Sequence, residues 1–184
     1  MLPRRMKMKV CLVGEAAVGK TSLVRRFVLD DFDDAYAQTL GTRIYKHATT
    51  IAPGGTRLDV DMMVWDIMGQ KGFRELLKDA YFYGAHGILA VADLTRRETF
   101  ADLGGWIGGV REVAGEVPIV LLANKADLRD EAPVTESEVA GAAERYGAPY
   151  YLTSAKSGEN VERAFRDLAE RIAAPQRSPP GGAR

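Results

Sequence analysis

One cysteine, Cys11, is all the thiol chemistry in these 184 residues, and it lies inside an apolar run. That excludes an internal disulfide framework and suits a reducing, cytoplasmic compartment. No apolar stretch approaches the roughly 18 residues that a membrane-crossing helix needs. Net charge is missing as well, since 25 Lys and Arg balance 25 Asp and Glu. No global field therefore argues for nucleic acid or an acidic substrate. Repeats are absent. The basic start "MLPRRMKMKV" precedes an apolar run far too short for a signal peptide, and reads as a solvated lead-in to a first strand. The length suits one domain with a proper core, expected over residues 1–174. The tail 175–184, "PQRSPPGGAR", is rich in proline and glycine and is expected to be disordered.

What is present is an alternation of apolar runs and helical patterns. "MKVCLVG" (residues 8–14) reads as a buried strand and "TSLVRRFVLDDF" after it as a helix. "IYKHATTI" and "RLDVDMMVWD" flank "APGGT" and predict an antiparallel hairpin, with period two in the second arm. "GILAVADLT" and "VPIVLLANKAD" are continuous apolar runs, which suit parallel strands covered on both faces. Between them Phe100, Leu103, Trp106, Ile107 and Val110 recur at helical spacing. Glycines 104, 105, 108 and 109 weaken that helix, and nothing in the sequence accounts for them. Thr135 and Glu138 predict a capping box opening a helix to about Tyr146. "APYYLTSA" reads as a last strand, and Val161, Ala164, Phe165, Leu168 and Ile172 form the stripe of a closing helix. The pattern predicts a three-layer α/β domain with one antiparallel edge.

"GEAAVGKTS" (residues 14–22) fits G-x-x-x-x-G-K-[ST] between a strand and a helix. In that spacing successive backbone N–H groups converge on phosphate oxygens. Gly14 and Gly19 permit the tight turn, Lys20 brings charge to the β- and γ-phosphates, and Thr21 offers a hydroxyl to Mg²⁺. The helix N-terminus beyond adds a favourable dipole. The bland alternative is an ordinary glycine-rich turn. "NKAD" (residues 124–127) ends a predicted parallel strand, where open α/β sheets bind ligands. The Asp127 carboxylate can accept the ring N–H and exocyclic amine of guanine; adenine would leave that charge unpaired. Lys125 can lay its stem along the base. "TSAK" (residues 153–156) ends the last strand, where the Ala155 N–H can reach the guanine oxygen.

Five motifs in this order, "GEAAVGKT", the threonine of "QTLG", "WDIMGQ", "NKAD" and "TSAK", make the chain resemble the Ras-like small GTPases, nearest the Rab branch. The resemblance spans roughly residues 7–173. It implies a P-loop NTPase fold: a mostly parallel six-stranded sheet with one antiparallel edge strand and about five helices. It implies a switch that binds GTP or GDP with Mg²⁺ and hydrolyses GTP. Gly14, Ala17, Val18, Gly19, Lys20, Thr21 and Ser22 match the phosphate-side contacts. Asn124, Lys125, Asp127 and Leu128, with Ser154, Ala155 and Lys156, match the base side. Phe32 matches the aromatic set edge-on against guanine and Tyr36 the switch tyrosine. Thr39 matches the switch I threonine, a ligand of both Mg²⁺ and the γ-phosphate. Asp66 matches the aspartate holding Mg²⁺ through water, Gly69 the γ-phosphate donor, and Gln70 the residue that orients the attacking water. Gln70, Lys20 and Thr39 are the catalytic set so implied. In isolation Thr39 reads as solvated, Phe32 as core and Gln70 as merely exposed; shared spacing overturns those readings.

The resemblance further implies an exchange factor, a GTPase-activating protein and effectors, the last on Ile44, Trp65 and Tyr81. Heterotrimeric α subunits carry a catalytic arginine two residues before the switch threonine. Here Ala37 stands there, so hydrolysis is expected to be slow until a partner supplies one. Arg43 is expected to point into the following strand. Ala16 and Ala17 replace glycines of Ras itself. Ile67 and Met68 replace the family Thr-Ala, and they either dock into apolar packing or alter the rest position of switch II. The final "SPPGGAR" has no prenylation cysteine, which leads to the expectation of a monomer without a direct lipid anchor, of prokaryotic type or membrane-recruited through a partner. The rival from another class is a nucleotide-binding adaptor with negligible hydrolysis. An ATP-dependent kinase fails at Asn124 and Asp127.

Overall fold

The computed structural model describes residues 5–35 and 38–174. Tyr36, Ala37 and the tail from residue 175, each the subject of an expectation above, lie outside the described residues. The strands are β1 (Arg5–Val13), β2 (Thr42–Ile51), β3 (Leu58–Ile67), β4 (Gly87–Asp93), β5 (Ile119–Asn124) and β6 (Tyr150–Thr153). The helices are α1 (Lys20–Leu29), α2 (Lys71–Phe82), the single turn α3 (Glu98–Ala101), α4 (Leu103–Ala114), α5 (Glu136–Glu144) and α6 (Val161–Ala173). One six-stranded sheet runs β2-β3-β1-β4-β5-β6, and only β2 is antiparallel to its neighbour, as the sequence predicts.

Period two divides the core. Val10 and Leu12 of β1 face one side, packing with Val24 of α1 and Phe165 and Leu168 of α6. Cys11 and Val13 face the other, with Phe82 of α2, Trp106 and Val110 of α4, and Val139 of α5. Strands β4 and β5 are buried at every residue, which their unbroken apolar runs require. Sequential connections leave β1 toward β3 on one side and β4 on the other. The crevice at the carboxyl end of β1 is thus the switch point where such sheets bind ligands.

Two boundaries differ from expectation and one helix was not foreseen, each for a physical reason. β1 starts at Arg5 rather than Met8, because Arg5 donates to the buried Asp61 carboxylate of β3 at 2.8 and 2.6 Å and so extends the parallel register. α1 stops at Leu29 rather than Phe32, with Asp30 left-handed at φ 51°. Four aspartates within residues 30–34 oppose the negative end of the helix dipole. α2 was not legible as a helical stripe, since Phe82 alone of its residues is buried. The capping box at Thr135 and Glu138 is present as predicted.

The glycines of α4 now have an account in part. A Cβ at Gly105 would strike the Arg74 guanidinium of α2, and one at Gly109 would press on Phe82 at 3.3 Å and Arg74 Cδ at 3.7 Å. Two glycines one turn apart therefore leave a groove in which Arg74 lies, 5.3 Å from the Trp106 ring centroid. Nothing in the structure explains Gly108.

Candidate functional site

A cavity of about 560 Å³ opens at the carboxyl ends of the strands, walled by the loop after β1, the segment between α1 and β2, the start of α2, and the loops after β5 and β6. Among the expected site residues it is lined by Ala17, Gly19, Lys20, Thr21, Ser22, Phe32, Thr39, Gly69, Gln70, Asn124, Lys125, Asp127, Leu128, Ala155 and Lys156. Gly14, Val18, Asp66 and Ser154 stand behind the wall.

The phosphate-side loop owes its shape to close backbone approaches. A Cβ at Gly14 would collide with the Val91 carbonyl and one at Gly19 with the Asn124 amide, and both glycines have positive φ. Ala17 holds φ 62°, an uncommon conformation for a residue with a Cβ. Lys20 is buried, and its ammonium donates to the carbonyls of Gly14 at 2.8 Å and Glu15 at 2.7 Å. Burial lowers its pKa to about 8, against the pull of Asp66 and Glu15. A lysine so placed is a fixed charge facing the helix N-terminus.

Beside it three oxygen-bearing side chains converge. Thr21 Oγ1 donates to Asp66 Oδ2 at 2.5 Å and lies 2.9 Å from Thr39 Oγ1. Asp66 Oδ1 is buried without a hydrogen-bond partner among the described residues. Burial raises the Asp66 pKa, opposed by the Thr21 hydroxyl, Lys20 and Arg43. An all-oxygen donor set with one orphaned carboxylate oxygen suits a hard cation of the Mg²⁺ type. Arg43 belongs to the following strand, β2, as expected, and it also lines the cavity.

Switch II sits directly on the phosphate loop. A Cβ at Gly69 would collide with the backbone of Glu15 and Ala16. Lys71, next to Gln70, lies 2.7 Å from Asp102 and 3.7 Å from Glu15, whose carboxylate also accepts the Trp106 indole N–H at 3.2 Å. Of the two residues that depart from the family pattern, Ile67 packs in the core and Met68 is 8% exposed, off the cavity wall. Met68 N–H donates to the Gly41 carbonyl at 3.0 Å, tying the two switch segments together. Ile67 docks into packing, as the first of the two alternatives has it, and Met68 is buried without joining either core cluster.

At the base end, the Asn124 amide donates to the Val18 carbonyl at 2.9 Å and accepts from Thr153 Oγ1 at 3.2 Å. Its side chain is thus spent on joining two loops. Buried Ser154 donates to Asp127 Oδ1 at 2.7 Å and aims that carboxylate. Lys125 reaches across to buried Asp93 at 2.6 Å, which leaves its aliphatic stem along the wall. Burial pushes the Asp93 carboxyl up, but Lys125 and Thr95 outweigh it and hold the pKa below the ordinary value. Arg96 pairs with the same carboxylate at 3.2 Å and donates to the Ala16 carbonyl at 2.7 Å. Sequence reasoning missed Asp93, Arg96 and Arg26; the sole signal for the first was a carboxylate ending the apolar run of β4. Of the expected effector residues, Ile44 is well exposed, whereas Trp65 and Tyr81 are half-buried.

A family model described as the Ras family matches residues 9–174. Ras-related protein Rab-1D of Dictyostelium discoideum is 36% identical over 176 residues, covering 93% of this chain and 84% of that protein. Ras-related protein Rab-13 of Mesocricetus auratus is 36% identical over 165 residues, with 89% and 79% covered. Ras-related protein RABD2c of Arabidopsis thaliana is 34% identical over 175 residues, with 95% and 84% covered.

Proposed function

The chain belongs to the Ras family and is a small, Rab-like GTPase, and from that premise we propose that it is a Mg²⁺-dependent switch with slow intrinsic hydrolysis. The observation that carries the reading is the convergence of Thr21, Thr39 and the partnerless Asp66 Oδ1 beside the buried Lys20. Thr21, Thr39 and, through water, Asp66 would hold the cation, which when bound neutralises phosphate charge. Lys20 and the loop amides stabilise the charge that develops on the transferred phosphoryl group. Gln70, at the start of α2, orients the water. Phe32, Lys125, Asp127, Leu128, Ala155 and Lys156 hold the base, Tyr36 serves the phosphate side, and the Asp127 carboxylate selects guanine by accepting its ring N–H and exocyclic amine.

The two switch segments are tied to each other through Gly41–Met68, and Thr39 is tied to α1 through Thr21. Loss of the γ-phosphate then releases both segments and ends partner binding. No arginine occurs in the sequence among residues 30–39, where one in cis would precede Thr39, so an activating protein supplies one. The adaptor alternative drew on disturbance by Met68. Its burial off the wall supports hydrolysis instead.

Single-turnover measurement tests this. Guanine nucleotide is expected to bind in preference to adenine nucleotide, with phosphate released over minutes to hours when Mg²⁺ is present. A rate near one per second without a partner, or indifference to Mg²⁺, refutes the proposal.

A further inference from the structure

Arg26 belongs to α1, the helix that leaves the phosphate loop, yet its guanidinium reaches the opposite end of the cavity. Nε donates to the Ala155 carbonyl at 2.8 Å and the second terminal nitrogen to the Lys156 carbonyl at 2.8 Å. The remaining nitrogen pairs with Asp30 Oδ1 at 3.1 Å, which fixes the fork from behind. A planar guanidinium that grips two successive carbonyls sets the tilt of two successive peptide planes, which a single point charge does not.

In a trans peptide the N–H points opposite to the carbonyl. With the Ala155 carbonyl turned to Arg26, the Lys156 N–H faces the other way. The Ser154 carbonyl accepts from Gly158 N–H at 2.8 Å, which likewise fixes the Ala155 N–H. Ala155 and Lys156 both line the cavity where the base is read. We propose that Arg26 is a positioning residue for base selection, holding the Lys156 amide on the guanine oxygen beside the Ala155 amide that the Ser154–Gly158 bond fixes. This rests on the guanine-binding reading above.

Arg26 and Ser154 thereby divide the work. Ser154 aims Asp127 at the ring N–H and amine, and Arg26 aims the Lys156 backbone donor at the oxygen. The two can be separated by changing one edge of the base at a time. Inosine diphosphate lacks the exocyclic amine, whereas 6-thioguanosine diphosphate keeps it, and keeps the ring N–H, but offers a poor acceptor at position 6.

Dissociation constants of GDP and these two analogues are to be measured for the parent, Arg26→Ala and Arg26→Lys, alongside thermal melts. For the parent, each analogue is expected to bind about tenfold more weakly than GDP. In Arg26→Ala, GDP should weaken by about tenfold and the thio penalty fall to about twofold, with the inosine penalty unchanged. Arg26→Lys should fall between. Equal loss for all three ligands makes Arg26 a general strut and overturns the proposal, as does a thio penalty equal to the parent's. If Arg26→Ala does not fold, Arg26→Lys decides: a thio penalty below the parent's supports the proposal and a parent-like one overturns it. Failure of the parent to bind any guanine nucleotide would instead sink the guanine reading itself.

Discussion

At the base end of the cavity, Asn124, Thr153 and Ser154 are buried and bonded to one another's loops, and Lys125 and Arg96 meet on buried Asp93. At the switch end, Leu40 is 78% exposed, Leu76 77% and Phe73 46%, and the contacts run through a glycine, one methionine and a few surface ion pairs. Buried, fully paired groups are costly to rearrange, so the base end presents one geometry. The switch end has little apolar area to lose and is suited to alternate states. Selectivity and timing are thus built from different materials a short distance apart.

The largest effect should come from the rigid end. Asp127→Ala removes two charge-assisted hydrogen bonds to the base, about 3–6 kcal/mol together, and should weaken GDP by about 10²–10⁴-fold in equilibrium titration. A loss below threefold would mean that the base end is not the selective one. Next, Gly69→Ala should drive α2 off the phosphate loop and slow single-turnover hydrolysis by about a hundredfold, with GDP affinity changed little. If affinity fell as far as the rate, the two ends would not be separable.

Met68→Ala should cost about 2 kcal/mol in chemical denaturation, because it empties a buried site. Its hydrolysis rate should stay within about twofold, as packing requires; a larger change would make Met68 a tuner of switch II. The smallest effect concerns Glu138. The Thr135 backbone N–H, then Arg97 and the Thr135 hydroxyl, lower its pKa from 4.5 to about 2. A carboxyl depressed on folding contributes stability that is complete above pH 4.5 and vanishes as pH falls through about 2. Carboxyl NMR titration should therefore find its midpoint near 2, and the acid dependence over that window should weaken in Glu138→Gln. A midpoint near 4.5 would refute it.

The five motifs were legible because they are residue types at short fixed spacings, most of which line one cavity in the fold. The covered parallel strands were legible in continuous apolar runs, whereas their order in the sheet was not. What stayed hidden were contacts between distant segments. Arg26 and Ala155 are 129 positions apart, and neither looks unusual where it stands. The glycines of α4 made no sense alone, since the side chain that needs Gly105 and Gly109 comes from α2. Helix α2 itself was obscure because it buries little, Phe82 alone of its residues being buried.

Trp106 gains a meaning from its neighbours that its burial alone does not suggest. Its indole N–H is held by Glu15 of the phosphate loop and its ring lies under Arg74 of α2. The other of the two tryptophans, Trp65, lies under Lys9 instead. Any motion that carries α2 away strips Trp106 of the Arg74 cation while the Glu15 carboxylate stays with the loop. The molecule therefore carries its own optical gauge: in a Trp65→Phe background, the colour of one indole would report the state of the switch, turnover by turnover, with no label attached.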